Sequence, residues 1–338
     1  MKPEKILILK NDRTGDLFTS IPTINLIFNK HKEDEIELFL SKVNHKFSFL
    51  FKPKKIKIFN LNLNLLDKIS IILYFLLNKI DSVYILTPKN FYFYIPLIFF
   101  FKKIKFYGLC IDAENKRPFN FLRNFLFKKV VIDRLNIKKR KSTYEIQQKL
   151  IEKNQNILNL INRDVESDLK IKISENTIFF HYKHKMFADL LNWDFNKVEK
   201  FIEYLSSKKG NIIFSSEINN IDSDVFFSKK FNTHDFILNQ SYKINSKNIL
   251  FLKNIDGLDL YTAVKKSSEI IAPEGIITHI GYSLKKKILS LVHFNLKNRQ
   301  DFINQVISCK EWFPPNNFDF IVLKKDFETS LRKLSKRI

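Results

Sequence analysis

The stretch N-D-R-T-G-D-L-F-T-S-I-P (11–22) places two carboxylates, Asp12 and Asp16, with Arg13, Thr14 and Gly15 directly after the apolar run K-I-L-I-L-K (5–10). Open α/β sheets put their ligand sites at the carboxyl ends of strands, so an acid here can accept a proton from a bound molecule. Asp is also a common helix cap, and spacing alone leaves both readings of Asp16 open. Gly15 is one of only 6 glycines in 338 residues. It reads as a tight turn closed to a side chain, with a helix beginning near Leu17 or Thr19. The loop is not G-x-G-x-x-G, so the dinucleotide-binding fingerprint is absent.

A second segment, I-I-A-P-E-G-I-I-T-H-I-G-Y (270–282), repeats the design: a strand ends at Ala272, Pro273-Glu274-Gly275 turns, and a helix carries Thr278 and His279. Backbone amides at 275–277 can cradle phosphate oxygens, with the positive end of the helix dipole behind them. His279 also fits a packed helix histidine. Glu217, in F-S-S-E-I-N after another apolar run, fits either a ligand-facing acid or a surface glutamate. His181 and His184 in H-Y-K-H-K have no carboxylate beside them, a poor metal set.

These loops need a frame. Short β-like runs recur at 5–10, 36–40, 56–60, 82–86, 104–108 and 129–133, with helical apolar spacing between several of them, as at 20–30 and 66–79. A polar helical stretch (142–163) and a charged link follow. Runs then resume at 177–182, 211–216, 248–252, 268–274 and 287–292. Strands alternating with helices predict parallel βαβ units. The expected organisation is two Rossmann-like α/β domains, 1–168 and 169–338, with the boundary region near 165–176.

Composition narrows the partners. Hydrophobic residues make up 45% and aromatics 14%, which excludes a disordered chain. Cys110 and Cys309 have no metal-ligand spacing and read as reduced, intracellular thiols. A net charge of +23 favours polyanions, whether anionic lipid or phosphorylated substrate; no zinc-finger spacing or aromatic RNA-binding motif supports nucleic acid. The apolar stretch 91–101 is too short to span a bilayer and fits a buried helix or one lying on a membrane surface.

L-K-N-D-R-T-G-D-L-F-T-S-I-P-T-I-N-L-I resembles the N-terminal signature of the heptosyltransferase-like glycosyltransferases of family 9, a strand followed by D-R-x-G-D and a proline six residues on: here Asp12, Arg13, Gly15, Asp16 and Pro22. The segment 258–289 resembles that family's C-terminal donor motif. The resemblance covers roughly residues 5–295. It implies a GT-B fold, two Rossmann-like α/β domains facing a central cleft. It also implies inverting, metal-independent transfer of a heptose-like sugar from a nucleotide-sugar, with ADP-heptose the type donor, to a lipopolysaccharide core or related glycolipid.

By position it makes Asp16 the general base, with Asp12, Arg13, Thr14 and Gly15 in the acceptor-side loop. Glu274 would contact the donor sugar, and Gly275, Ile276, Ile277 and Thr278 the diphosphate. His279 would orient that loop and Glu217 bind the ribose. Two departures stand out. Glu274-Gly275-Ile276 replaces Asp-Ser/Thr-Gly, losing a hydroxyl at 275, and the lysine two residues before a tryptophan is replaced by Leu191. Lys183 or Lys185 is expected to supply that charge. The resemblance further implies no cofactor or metal, a monomer, and a cytoplasmic placement peripheral to the inner face of the inner membrane. The competing expectation is a GT-B binding protein that has lost turnover.

Overall fold

The computed structural model describes residues 3–87, 89–111, 123–133, 142–151, 165–218, 220–244, 248–294, 303, 305–306 and 319–337. The basic run 134–141, most of the polar stretch 142–163, and Cys309 lie outside them. The chain divides into two compact units, one spanning Met1–Asp164 and the other beginning at Val165.

The first unit is built on strands β1 (Lys5–Lys10), β2 (Glu35–Ser41), β3 (Lys55–Phe59), β4 (Ser82–Ile85), β5 (Lys105–Ile111) and β6 (Lys129–Asp133). They form one parallel sheet in the order β3-β2-β1-β4-β5-β6. This is the doubly wound nucleotide-fold order, in which the connection reverses direction at β1. Ile6, Leu7, Ile8 and Leu9 are all buried, as a continuous apolar run must be when helices cover both faces of a parallel sheet.

The second unit contains β7 (Ile178–His181), β8 (Ile212–Ser215), β9 (Asn232–Asp235), β10 (Gln240–Tyr242), β11 (Ile249–Lys253), β12 (Glu269–Pro273), β13 (Lys287–Val292) and β14 (Asp319–Val322). Their order is β10-β9-β11-β8-β7-β12-β13-β14, parallel throughout except for β10 against β9. Without β9 and β10 at the edge, the remaining six strands repeat the first unit's order, and the reversal falls at β7. Each unit has its own core. One gathers Phe39, Phe75, Tyr92 and Phe106; the other gathers Phe180, Trp193, Phe201 and Phe251.

Three expectations change. The helix after β1 spans Thr14–Lys30, with Arg13 in extended conformation as its cap and Leu17 N–H donating to the Arg13 carbonyl at 3.1 Å. Gly15 and Asp16 therefore lie inside the first helical turn, and Gly15 is not among the positive-φ glycines, which are Gly210, Gly257 and Gly275. The stretch 91–101 is a helix (Asn90–Ile98) with Tyr92, Phe93, Ile95 and Pro96 buried, yet Phe100 and Phe101 just beyond it are exposed. Strands β9 (N-T-H-D) and β10 (Q-S-Y) carry no apolar run of the kind that marks the others, and β14 (D-F-I-V), which does, lies beyond the runs expected above.

Candidate active site

In the first unit the loop leaving β1 is held by a buried polar network. The Lys10 ammonium, 2% exposed, donates to Asp12 Oδ2 at 2.6 Å, and the Thr87 hydroxyl donates to the same oxygen at 3.1 Å. Asn44 Nδ2 donates to the Lys10 carbonyl at 2.8 Å and reaches Asp12 Oδ1 at 3.4 Å. Ser41 Oγ donates to the Asp12 carbonyl at 2.6 Å. Asn11 is fixed alongside: its side chain accepts from the Tyr92 hydroxyl at 2.5 Å, and its carbonyl accepts from the Lys89 ammonium at 2.8 Å. Burial pushes the Asp12 carboxyl up, against the opposing charge of Lys10, and the charge of Asp16 pushes the same way. Asp12 thus stitches together the carboxyl ends of β1, β2 and β4.

Asp16 is different. It occupies the third position of the helix Thr14–Lys30, half-buried. Its backbone carbonyl accepts from Thr19 Oγ1 at 2.8 Å and Ser20 Oγ at 3.0 Å, but its carboxylate has no hydrogen bond or ion pair among the described residues. The capping alternative does not hold: Arg13 is the cap, and no side chain closes that helix end. The first turn of a helix is the positive end of its dipole, a position acids favour. Arg13 is exposed, and Thr14 Oγ1 reaches the Val43 carbonyl at 3.4 Å.

In the second unit, the carboxyl ends of β8, β7 and β12 lie side by side at the reversal point and bring together Glu217, Lys183, His184, Lys185 and Glu274. Lys183 Nζ donates to the Glu274 carbonyl at 3.0 Å, and the His184 amide donates to Glu217 Oε2 at 2.8 Å. One short segment after β7 therefore grips the loops on both sides. Gly275 has φ +156° and ψ −161°, a conformation essentially confined to glycine, and it caps the helix Ile276–Ser283. The first amides of that helix have no intrahelical acceptor and are available to an anion.

Thr278 is fully buried, and its hydroxyl donates to the Gly275 carbonyl at 2.7 Å, so it staples the turn. His279 is buried and lies 3.7 Å from Glu274 Oε1. His279, then Lys183, hold the Glu274 carboxyl below the usual carboxylate range despite its partial burial. Further along the same helix, Gly281 lets it approach β12: a Cβ there would fall 2.1 Å from Ile270 Cδ1.

Past the carboxyl ends of β7 and β8 is an open cavity of about 650 Å³, lined by His184, Lys185, Glu217, Ile218, Asn220 and Ile221 among others. That size suits a small-molecule ligand. Ile218 and Ile221 present apolar surface while Glu217 and Lys185 present charge, a combination able to take a flat ring and a hydroxylated sugar. Sequence reasoning missed Ile218, Asn220 and Ile221, and also Asn44 and Thr87, because nothing in the linear order links them to the two motifs. His181 is directed at Ser215 Oγ, at 2.9 Å, and burial with the Lys183 charge pushes its imidazole down to about 3.

Among the described residues, one group could hold a metal ion, Glu4, His31 and Asp34. It lies at the amino ends of the strands, away from Asp16. Both its imidazole nitrogens already bond, to Asp34 at 2.8 Å and to the Tyr84 hydroxyl at 3.0 Å.

No protein-family description and no curated protein matches the sequence. Solved structures do match its fold. The ADP-heptose lipopolysaccharide heptosyltransferase II of E. coli is similar at a TM-score of 0.65 and 11% identity, covering 98% of this chain and 98% of that one. A family 9 glycosyl transferase from Veillonella parvula is similar at 0.61 and 13%, covering 99% and 90%. A UDP-GlcNAc 2-epimerase from Methanocaldococcus jannaschii is similar at 0.53 and 13%, covering 98% and 92%. At these identities the likeness establishes the fold, a GT-B pair of Rossmann-like units, which transferases and epimerases share.

Proposed function

We propose that this chain is an inverting glycosyltransferase. It moves a sugar, heptose-like by resemblance, from a nucleotide-sugar to a lipopolysaccharide core or related glycolipid acceptor at the cytoplasmic face of the inner membrane. The observation that carries the reading is the Asp16 carboxylate. It is held at the reversal point of the first sheet by a heavily bonded loop, yet it has no partner of its own among the described residues. As general base it takes the proton from the acceptor hydroxyl, whose oxygen attacks the anomeric carbon opposite the departing diphosphate and inverts that centre. Lys183 and the amides at 276–277 take up the charge developing on the diphosphate, the role a metal plays elsewhere. Glu217 accepts hydrogen bonds from the ribose, and Glu274, ionised beside His279, orients the donor sugar.

Nucleotide names attached to similar folds differ, ADP for the E. coli transferase and UDP for the epimerase. Calorimetric titration with ADP and with UDP therefore comes first. The expected result is binding of one nucleotide, weakened about tenfold or more by Lys183→Ala and by Glu217→Gln. Binding of neither, or binding indifferent to both substitutions, removes the donor site from the second unit. A binding protein without turnover is the second reading, favoured by the absence of a hydroxyl at Gly275. It predicts nucleotide binding with no release of diphosphate under any acceptor.

A further inference from the structure

We propose that the helix Leu65–Leu77, with the turn at Phe100 and Phe101, docks on the surface of an anionic bilayer. The proposal names the surface behind the peripheral placement given above, and rests on that placement rather than on the transfer chemistry. The helix is L-L-D-K-I-S-I-I-L-Y-F-L-L, and its inner face, Ile71, Tyr74 and Phe75, is buried against the sheet. Its outer face is also apolar. Leu66, Ile69, Leu73 and Leu76 follow a 3-4-3 spacing, so they form one stripe, and they are 44–75% exposed. Asp67, Lys68 and Ser70 are confined to the first turns, and a helix apolar on both its inner and outer faces normally lies in a core or in lipid. Contiguous exposed apolar surface of this kind marks an interaction site.

The adjoining turn extends the stripe. Phe99 stacks on Phe75 at 5.3 Å, and Lys102 Nζ donates to the carbonyls of Phe75 at 2.6 Å and Leu76 at 2.9 Å. Phe100 and Phe101, both exposed, therefore stand beside the end of the helix.

Charge selects the occupant. Lys68 is on the helix, and Lys79 and Lys103 are exposed where the helix and the turn end. The acids nearest the helix ends are already engaged, Asp67 in the cap with Asn64 and Asp81 accepting from the Lys5 amide at 2.8 Å. Self-association through this face would bring lysines against lysines across a two-fold contact, whereas anionic headgroups complement them. The geometry is that of an in-plane anchor, apolar side chains at the acyl boundary and lysines at the headgroups.

Co-sedimentation of the full chain with phosphatidylglycerol–phosphatidylethanolamine vesicles, and with phosphatidylcholine alone, tests this. Binding is expected only with the anionic vesicles and should fall at high salt. Leu66→Ser/Leu73→Ser/Leu76→Ser should weaken it by about tenfold or more, and Lys79→Glu/Lys103→Glu by about fivefold or more. Ile237→Ser/Leu238→Ser, exposed apolar positions of the second unit, should leave it unchanged. A tryptophan placed by Leu73→Trp should shift its emission to the blue with anionic vesicles. Wild-type binding by the triple serine variant overturns the proposal, as does equal binding to neutral vesicles. So does a dimer that the triple variant splits without affecting vesicle binding. Nucleotide titration reads the second unit and is untouched by these substitutions, so failure here is distinct from failure of the transferase reading.

Discussion

Asp12 and Asp16 stand four residues apart in one motif and have opposite fates. Asp12 is consumed by Lys10, Thr87 and Asn44, while the Asp16 carboxylate has no partner among the described residues. The motif was legible in the sequence, but the division of labour was not, since Thr87 arrives from 75 residues away through the pairing of β1 with β4. His181 shows the same dependence on surroundings and carries a prediction. Its folded value of about 3 lies below its ordinary 6.5, so between those values the unfolded chain binds the extra proton. Stability should fall as pH drops through that window, by up to about 1.4 kcal/mol per unit for this group. Urea unfolding from pH 7 to 4 should show the slope, and His181→Gln should flatten it. An unchanged slope in the variant would assign the effect elsewhere.

At the scale of elements, apolar runs announced β1 to β8 and β11 to β13 within a few residues; most are buried parallel strands, which are apolar throughout, while the edge strand β3, K-I-K-I-F, shows only alternation and is largely exposed. Strand β9, N-T-H-D, is polar and is placed by its neighbours; Asp235 pairs there with Lys253 at 2.9 Å. The early start of the helix Thr14–Lys30 was hidden because an arginine, rather than a small polar residue, caps it. The need for glycine that the sequence suggests at Gly15 falls instead on the turn at Glu274–Gly275, and the geometry makes this measurable. A Cβ at 275 would meet only Lys183 Nζ, at 3.8 Å, so Gly275→Ala costs backbone strain rather than a clash. We expect a loss of about 1–3 kcal/mol in unfolding free energy, with weaker nucleotide binding because the amides are re-aimed. Unaltered stability and affinity together would mean that the loop does not rely on this conformation.

At the scale of the whole molecule, two units with the same strand order each present chemistry at the strand where that order reverses. The first offers the Asp16 carboxylate, proposed as the base, and the second a cavity, cations and helix amides. A net charge of +23 suits the two ligands proposed here, a diphosphate and a lipid surface, which are both anionic. Fold class and both loops could be read from spacing. The cavity and the outward stripe on Leu65–Leu77 could not, because exposure is a tertiary property that an apolar pattern does not report.

The most direct measurement is release of nucleoside diphosphate from a nucleotide-sugar in the presence of a lipopolysaccharide-core glycolipid, for the wild type and for Asp16→Asn. Turnover is expected in the wild type and should fall about 10²–10⁴-fold in the variant, with nucleotide affinity and melting temperature nearly unchanged. Near-wild-type turnover in Asp16→Asn would contradict the assignment of this carboxylate as the base.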